Sequence, residues 1–274
     1  MGVRGPARAF RLLLFAAFGF SVGDTPRASA GECTAGSARR EVIAGIGPRG
    51  EIRFASGARA VLSSLRWPDD DAASRAELET FAGRALLVVP RGVADRWGRE
   101  HVDALTEDGE ADPAGRLIAA GLAFADPGEA DALCRPALRQ VEAAARSRGL
   151  GVWRPPRPGA GDGAALRALA GRFAVVEGLI RHVGERPGRT YLDFAPRGAD
   201  GLVVTVPKRT WREMAARGLT ASTLSARRVR VRGIVELWRN PTIEAATADA
   251  IERLDDEAPE PHHGTARDDS GARR

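Results

Sequence analysis

The chain has 274 residues, 43% of them hydrophobic and 28% charged. That length holds roughly two domains of ~100–200 residues each, and the balance of apolar and charged residues excludes a wholly disordered polymer. The net charge of +5 is carried almost entirely by arginine, Lys208 being the only lysine. GC-rich codon usage accounts for that preference, so arginine abundance does not by itself indicate nucleic acid.

Residues 1–30 read as a leader. Arg4, Arg8 and Arg11 make a positive start, Leu12 to Val22 an apolar run, and Ala28-Ser29-Ala30 a small-residue cleavage pattern, with cleavage expected after Ala30. The apolar run is too short for a spanning helix; a retained membrane anchor is the alternative. An exported chain of this kind suggests a bacterial periplasmic or secreted protein. Both cysteines, Cys33 and Cys134, lie beyond the leader. Export places them where disulfides persist, so a Cys33–Cys134 bridge is expected, with two free thiols as the alternative. Glu32 before Cys33 argues against a lipidated cysteine, and two distant cysteines without histidine partners make no metal site.

In the first half, residues 31–154, Glu51-Ile52-Arg53-Phe54 and Arg59-Ala60-Val61-Leu62 alternate as two strands around Ala55-Ser56-Gly57. Trp67-Pro68-Asp69-Asp70-Asp71 breaks the pattern as an acidic loop. Ser74 to Ala82 reads as a helix closed by Gly83, and Arg84 to Pro90 as a buried strand. After the turn Asp95-Arg96-Trp97-Gly98-Arg99, a fourth strand alternates over His101–Leu105. A short helix from Pro113 to Ala120, an extended Leu122–Ala125 and a long helix from Glu129 to Gly149 lead to Gly151-Val152-Trp153. The fold class expected is mostly β with inserted helices (α+β), an OB-type five-stranded barrel with helical decorations.

Residues 155–164, rich in proline and glycine, read as a linker. Residues 165–254 then read as a second OB-like barrel: a long strand Phe173–Val183 with a bend at Gly178, strands Gly188–Phe194 and Gly201–Val206, a helix Lys208–Arg217, and strands Arg228–Val235 and Pro241–Ala246. This half carries sixteen basic and nine acidic side chains, so the positive field of the chain belongs to it. Residues 255–274 read as an acidic disordered tail.

The first half resembles the staphylococcal nuclease (thermonuclease-like) family over roughly residues 40–154. The resemblance rests on Gly57-Ala58-Arg59-Ala60-Val61-Leu62 leading to Trp67-Pro68-Asp69, the Asp95–Arg99 turn, Ala120-Gly121-Leu122-Ala123, and the closing helix with Gly151-Val152-Trp153. It implies calcium-dependent phosphodiester hydrolysis, with a hard cation on oxygen ligands, a glutamate as general base and two arginines on the phosphate. Carried over residue by residue, Arg99 keeps a phosphate arginine and Asp69 stands one methylene short of the base. Gly50 takes a calcium-ligand position, Val61 the other phosphate arginine, and Arg66 a second ligand carboxylate with its charge reversed. The expectation is a nuclease-like fold with an eroded site and no cofactor; the alternative is an active nuclease holding calcium on Glu51 and Asp69–Asp71.

In the second half, Arg228, Arg230 and Arg232 alternate with valines on one strand, placing arginines on one face. With Lys208 and Arg209 they are the candidate nucleic-acid-binding residues, able to track a phosphate backbone, while Tyr191, Phe194, Trp211 and Trp238 are candidate stacking surfaces. Single-stranded nucleic acid or another anionic polymer, such as a cell-wall polymer, is the partner expected, with a protein partner also open. His182, His262 and His263 have no metal-site spacing.

Overall fold

A computed structural model gives the fold and describes residues 33–69, 72–127, 132–154 and 156–254. The expected leader, the tail, and Asp70 and Asp71 lie outside the described residues. No helix among the described residues is long and apolar enough to cross a membrane.

The first unit is a closed five-stranded barrel with helices. Strands β1 (Arg39–Ile46), β2 (Ile52–Phe54) and β3 (Arg59–Leu62) pair antiparallel in chain order. The two-residue β4 (Leu65–Arg66) leaves the barrel and helix α1 (Ala72–Glu79) crosses over. Strands β5 (Ala85–Arg91) and β6 (Glu100–Thr106) then complete the wall. β6 runs parallel to β3 and antiparallel to β5, which returns to β1, so the ladder closes. Period-two patterning does the rest: Ile52, Phe54, Ala60, Leu62, Leu86, Val88, Val102 and Ala104 all face the core. β1 adds a strand ahead of the two read at Glu51–Phe54 and Arg59–Leu62. Its charged start, Arg39-Arg40-Glu41, hides a strand in which Ile43 is buried and Arg39 pairs with Glu41 and Glu100.

Outside the barrel, α2 (Pro113–Ala119) is capped by Asp112, whose carboxylate accepts the Ala114 N–H at 3.1 Å. The short β7 (Phe124–Ala125) pairs with β4, and α3 (Leu138–Ser147) follows. α3 begins later than the expected Glu129, just past Pro136, a residue confined to the first turn of a helix. Gly121 and Gly151 meet backbone to backbone, Val152 donating to the Gly121 carbonyl at 2.9 Å. A Cβ on either glycine would overlap the other segment. That close approach seats Trp153 edge-on against Phe124, ring centroids 5.4 Å apart.

The second unit repeats the connectivity. After α4 (Gly163–Arg167) come β8 (Phe173–Leu179), β9 (His182–Glu185), β10 (Arg189–Asp193) and β11 (Val203–Pro207). Helices α5 (Lys208–Ala216) and α6 (Ala221–Leu224) precede β12 (Arg228–Leu237), β13 (Pro241–Glu244) and β14 (Ile251–Arg253). β10 pairs with β9 and β11, β11 lies parallel to β13, β13 pairs with β12, and β12 pairs with β8. β8 and β9 are successive stretches of one chain segment bent at Ile180-Arg181, so the curled sheet is completed through that bend. The bend falls two residues past Gly178, which instead makes room for Ala160. Ala160 is buried in the second core, donates its N–H to Glu177 and accepts from Leu202. The stretch read as a linker is thus partly built into the second unit.

Candidate functional site

The Asp95–Arg99 turn is closed upon itself. One Asp95 carboxylate oxygen accepts the backbone N–H groups of Trp97 and Arg99, both at 2.9 Å, and the other accepts Nε of Arg99 at 2.7 Å. Burial pushes the Asp95 carboxyl up, but these donors from Arg99 and Trp97 outweigh it and hold the group below its usual range. The Arg99 guanidinium also lies over the Trp97 ring, 4.8 Å from its centroid, with Arg96 at 4.0 Å. Arg99 is therefore engaged in an ion pair and a ring contact of its own turn. Glu51, a second carboxylate within the field of Arg99, is bonded by Arg59 at 2.9 Å. That bond, with the fields of Arg59, Arg99 and Arg53, keeps Glu51 below the usual carboxylate range.

The other positions implied by the resemblance point elsewhere. Gly50 adopts a left-handed backbone (φ 74°) and lies under the indole of Trp67, where a Cβ would overlap the ring. The space of a ligand side chain at 50 is thus filled by a tryptophan. Gly50→Asp is expected to lower stability by about 2 kcal/mol through overpacking, read as a shift in the urea midpoint; an unchanged midpoint would show that Trp67 swings aside. Arg66 stacks on Phe173 of the second unit, 4.7 Å from the ring centroid, and Asp69 accepts Nε of Arg172 at 3.0 Å. Neither approaches Arg99 through any described contact. Among the described residues no group of three His, Cys, Asp or Glu side chains could hold a metal ion. A glycine, a cation and a partnered aspartate do not make the hard-oxygen cage that calcium requires.

The arginine-bearing face of β12 alternates as expected, with Val229, Val231 and Val235 in the second core, but it is not a solvent face. Arg230 and Arg232 are 3% and 2% exposed, which corrects their assignment as nucleic-acid contacts. The first unit packs over them. Arg232 forks onto Glu142 of α3 at 3.0 and 3.2 Å and donates to the Ala125 carbonyl at 2.7 Å. Arg230 pairs with Glu177 at 2.9 Å and Glu252 at 3.0 Å. Arg228, at the strand start, stays exposed and lies 3.9 Å from Glu177. Lys208 and Arg209 sit on α5, Lys208 beside Glu185 and Thr190, Arg209 near Glu213. The five residues do not form one binding track.

Of the proposed stacking residues, Phe194 and Trp211 are buried, whereas Trp238 is 56% exposed. Sequence reasoning missed the docking roles of Arg66, Asp69 and Arg172. It also missed the outward-facing Arg181, Arg197 and Arg239, each isolated in sequence and marked only by a neighbouring turn or bend. Cys33 and Cys134 form a disulfide, with Cα atoms 5.2 Å apart. Set against known proteins, the chain matches no family model, and no curated protein matches it.

Proposed function

We propose that this is an exported, disulfide-stabilised binding protein with a nuclease-like first barrel that has lost hydrolysis, and that the second barrel binds an anionic polymer. One observation carries the reading: the residues at the resemblance's catalytic positions are committed to packing or docking. Trp67 covers Gly50, Arg66 and Asp69 contact Phe173 and Arg172, and Arg99 is bound by Asp95. The motifs shared with the staphylococcal nuclease family and the closed barrel support that lineage. The leader pattern and the Cys33–Cys134 bridge support export. The excess of basic side chains in residues 165–254 supports a polyanionic partner.

The test is cleavage of labelled single-stranded DNA by the full chain, with calcium and with a chelator. No cleavage above buffer is expected under either condition, and Arg99→Ala is expected to change nothing. Calcium-dependent cleavage that Arg99→Ala abolishes would restore the alternative, a nuclease using displaced acidic ligands.

A further inference from the structure

We infer that the phosphate-binding site of this protein is a groove at one mouth of the second barrel, built on Arg181, Arg197 and Arg239, and that it takes a single strand of nucleic acid. The inference rests on the polymer-binding reading above and names its site and ligand.

Strand register assembles the groove. Asp193 at the end of β10 pairs with His182 at the start of β9 and with Val203 at the start of β11. Val203 in turn pairs with Thr242, next to the start of β13. The β8–β9 bend, the β10–β11 loop and the β12–β13 turn therefore come together, and they line a groove of about 670 Å³. Three arginines distant in sequence become neighbours because the sheet curls.

The frame of the groove is fixed by its own contacts. Arg167 of α4 forks onto Asp200 at 2.8 and 2.9 Å and donates to the Arg239 carbonyl at 3.0 Å. The Arg167 fork holds the Asp200 carboxyl below its usual range. Asn240 donates across to the carbonyls of Ala199 and Gly201, both at 3.4 Å. Asp200 is thus neutralised by Arg167, leaving Asp193 as the other acid of the lining. The side chains of Arg181, Arg197 and Arg239 have no hydrogen-bond or ion-pair partner among the described residues and are exposed. Elsewhere on the second unit, Lys208, Arg189 and Arg217 are each paired with a carboxylate.

Three uncommitted guanidinium groups on a braced loop frame suit phosphate oxygens, which each fork can grip with two N–H donors. The turn that carries Arg239 also presents Trp238, whose indole N–H is tied to Glu236 at 3.0 Å while the ring remains exposed. An exposed aromatic next in sequence to a groove arginine can stack an unpaired base while the backbone is neutralised. A strand with free bases uses both features; a polyanion without bases uses only the first.

The test measures anisotropy of a labelled oligothymidylate with the full chain over a range of salt. Binding is expected to weaken with salt. The triple variant Arg181→Ala/Arg197→Ala/Arg239→Ala is expected to lose at least about ten-fold in affinity and about 2 units of the log–log salt slope, as three phosphate contacts on a single strand require. Lys208→Ala/Arg209→Ala should bind as the parent does. Trp238→Ala should weaken oligothymidylate about ten-fold and leave inorganic polyphosphate unaffected. The triple variant binding like the parent would overturn the groove while leaving polymer binding intact. Equal loss of polyphosphate and oligothymidylate in Trp238→Ala, or no loss of either, would overturn the single-strand assignment. Absence of binding by the parent to any polyanion would remove the polymer-binding reading itself. Native disulfide content and an unchanged circular dichroism spectrum establish that each variant is folded.

Discussion

Arg232→Met is expected to destabilise the protein by about 3–5 kcal/mol at pH 8, the cost of leaving one charge of a buried pair uncompensated. Its partner Glu142 is 1% exposed and receives, besides the Arg232 fork, the Ala125 N–H at 2.8 Å. Burial pushes the Glu142 carboxyl up to about 7, against the pull of that N–H and of Arg139, Arg146 and Arg230. A carboxyl whose folded pKa exceeds its unfolded value of 4.5 contributes stability in full below that value. The contribution is lost as pH rises through about 7, because the folded state then gives up a proton it had held. The parent should therefore lose stability between about pH 4.5 and 7, and Glu142→Gln should flatten that slope.

In Arg232→Met the same carboxyl can escape by taking a proton, so the loss at pH 5 should be clearly smaller than at pH 8. Urea denaturation at the two pH values measures both effects. The paired change Arg232→Met/Glu142→Leu removes both charges from the interface and should recover most of the loss. A deficit that is equal at pH 5 and pH 8, and that persists in the paired variant, would mean that the arginine stem's packing rather than its charge holds the units together.

That interface also shows where sequence reasoning reaches its limit. The two-residue alternation of Arg228 to Val235 correctly places valines inward and arginines outward, because a pleated strand has two faces. It does not say what covers the outer face. Here α3 and β7 of the first unit do, and the signal was split between Glu142 and Arg232, ninety residues apart. The same holds for Arg66 and Asp69: the resemblance supplies their positions, but only the fold brings Phe173 and Arg172 to them.

Gly50 was legible as the position where the resemblance implies a ligand, whereas the tryptophan lying over it was not, since contact between residues 50 and 67 depends on how the barrel folds. The strand and helix order of both halves was readable from periodicity and turn residues. β1, β14, α6 and the buried Ala160 were not, being charged at the start, very short, or set in a run of proline and glycine. The groove arginines were hidden for a different reason. Each sits singly at a bend or turn, and the register of four strands is needed to see them as a group.

Removing the disulfide, by Cys33→Ala/Cys134→Ala or by reduction, is expected to cost about 2–5 kcal/mol. The closed loop spans 101 residues, and a loop of that length restricts the unfolded chain strongly. The bridge also fixes two pieces of native structure. On one side it anchors the arm after Cys33, where Gly92 donates to Thr34 at 3.1 Å, Gly36 to Pro90 at 2.8 Å, and Arg91 to the Cys33 carbonyl at 3.2 Å. On the other it sets the segment around Cys134, whose neighbour Leu133 donates its N–H to Asp249 of the second unit at 2.9 Å. Asp249 also accepts from Arg217 at 2.8 Å and, through its carbonyl, from Arg139 at 2.7 Å. Loss of the bridge should therefore loosen the contact between units as well as the first barrel. Hydrogen exchange at Leu133 and across residues 248–250 should accelerate along with exchange at residues 34–36. Urea denaturation with and without reductant gives the free-energy change. A difference below about 1 kcal/mol would mean that the unfolded chain is already restricted without the bridge. Acceleration confined to residues 34–36 would mean that the Leu133–Asp249 clasp stands on the packing of the interface alone.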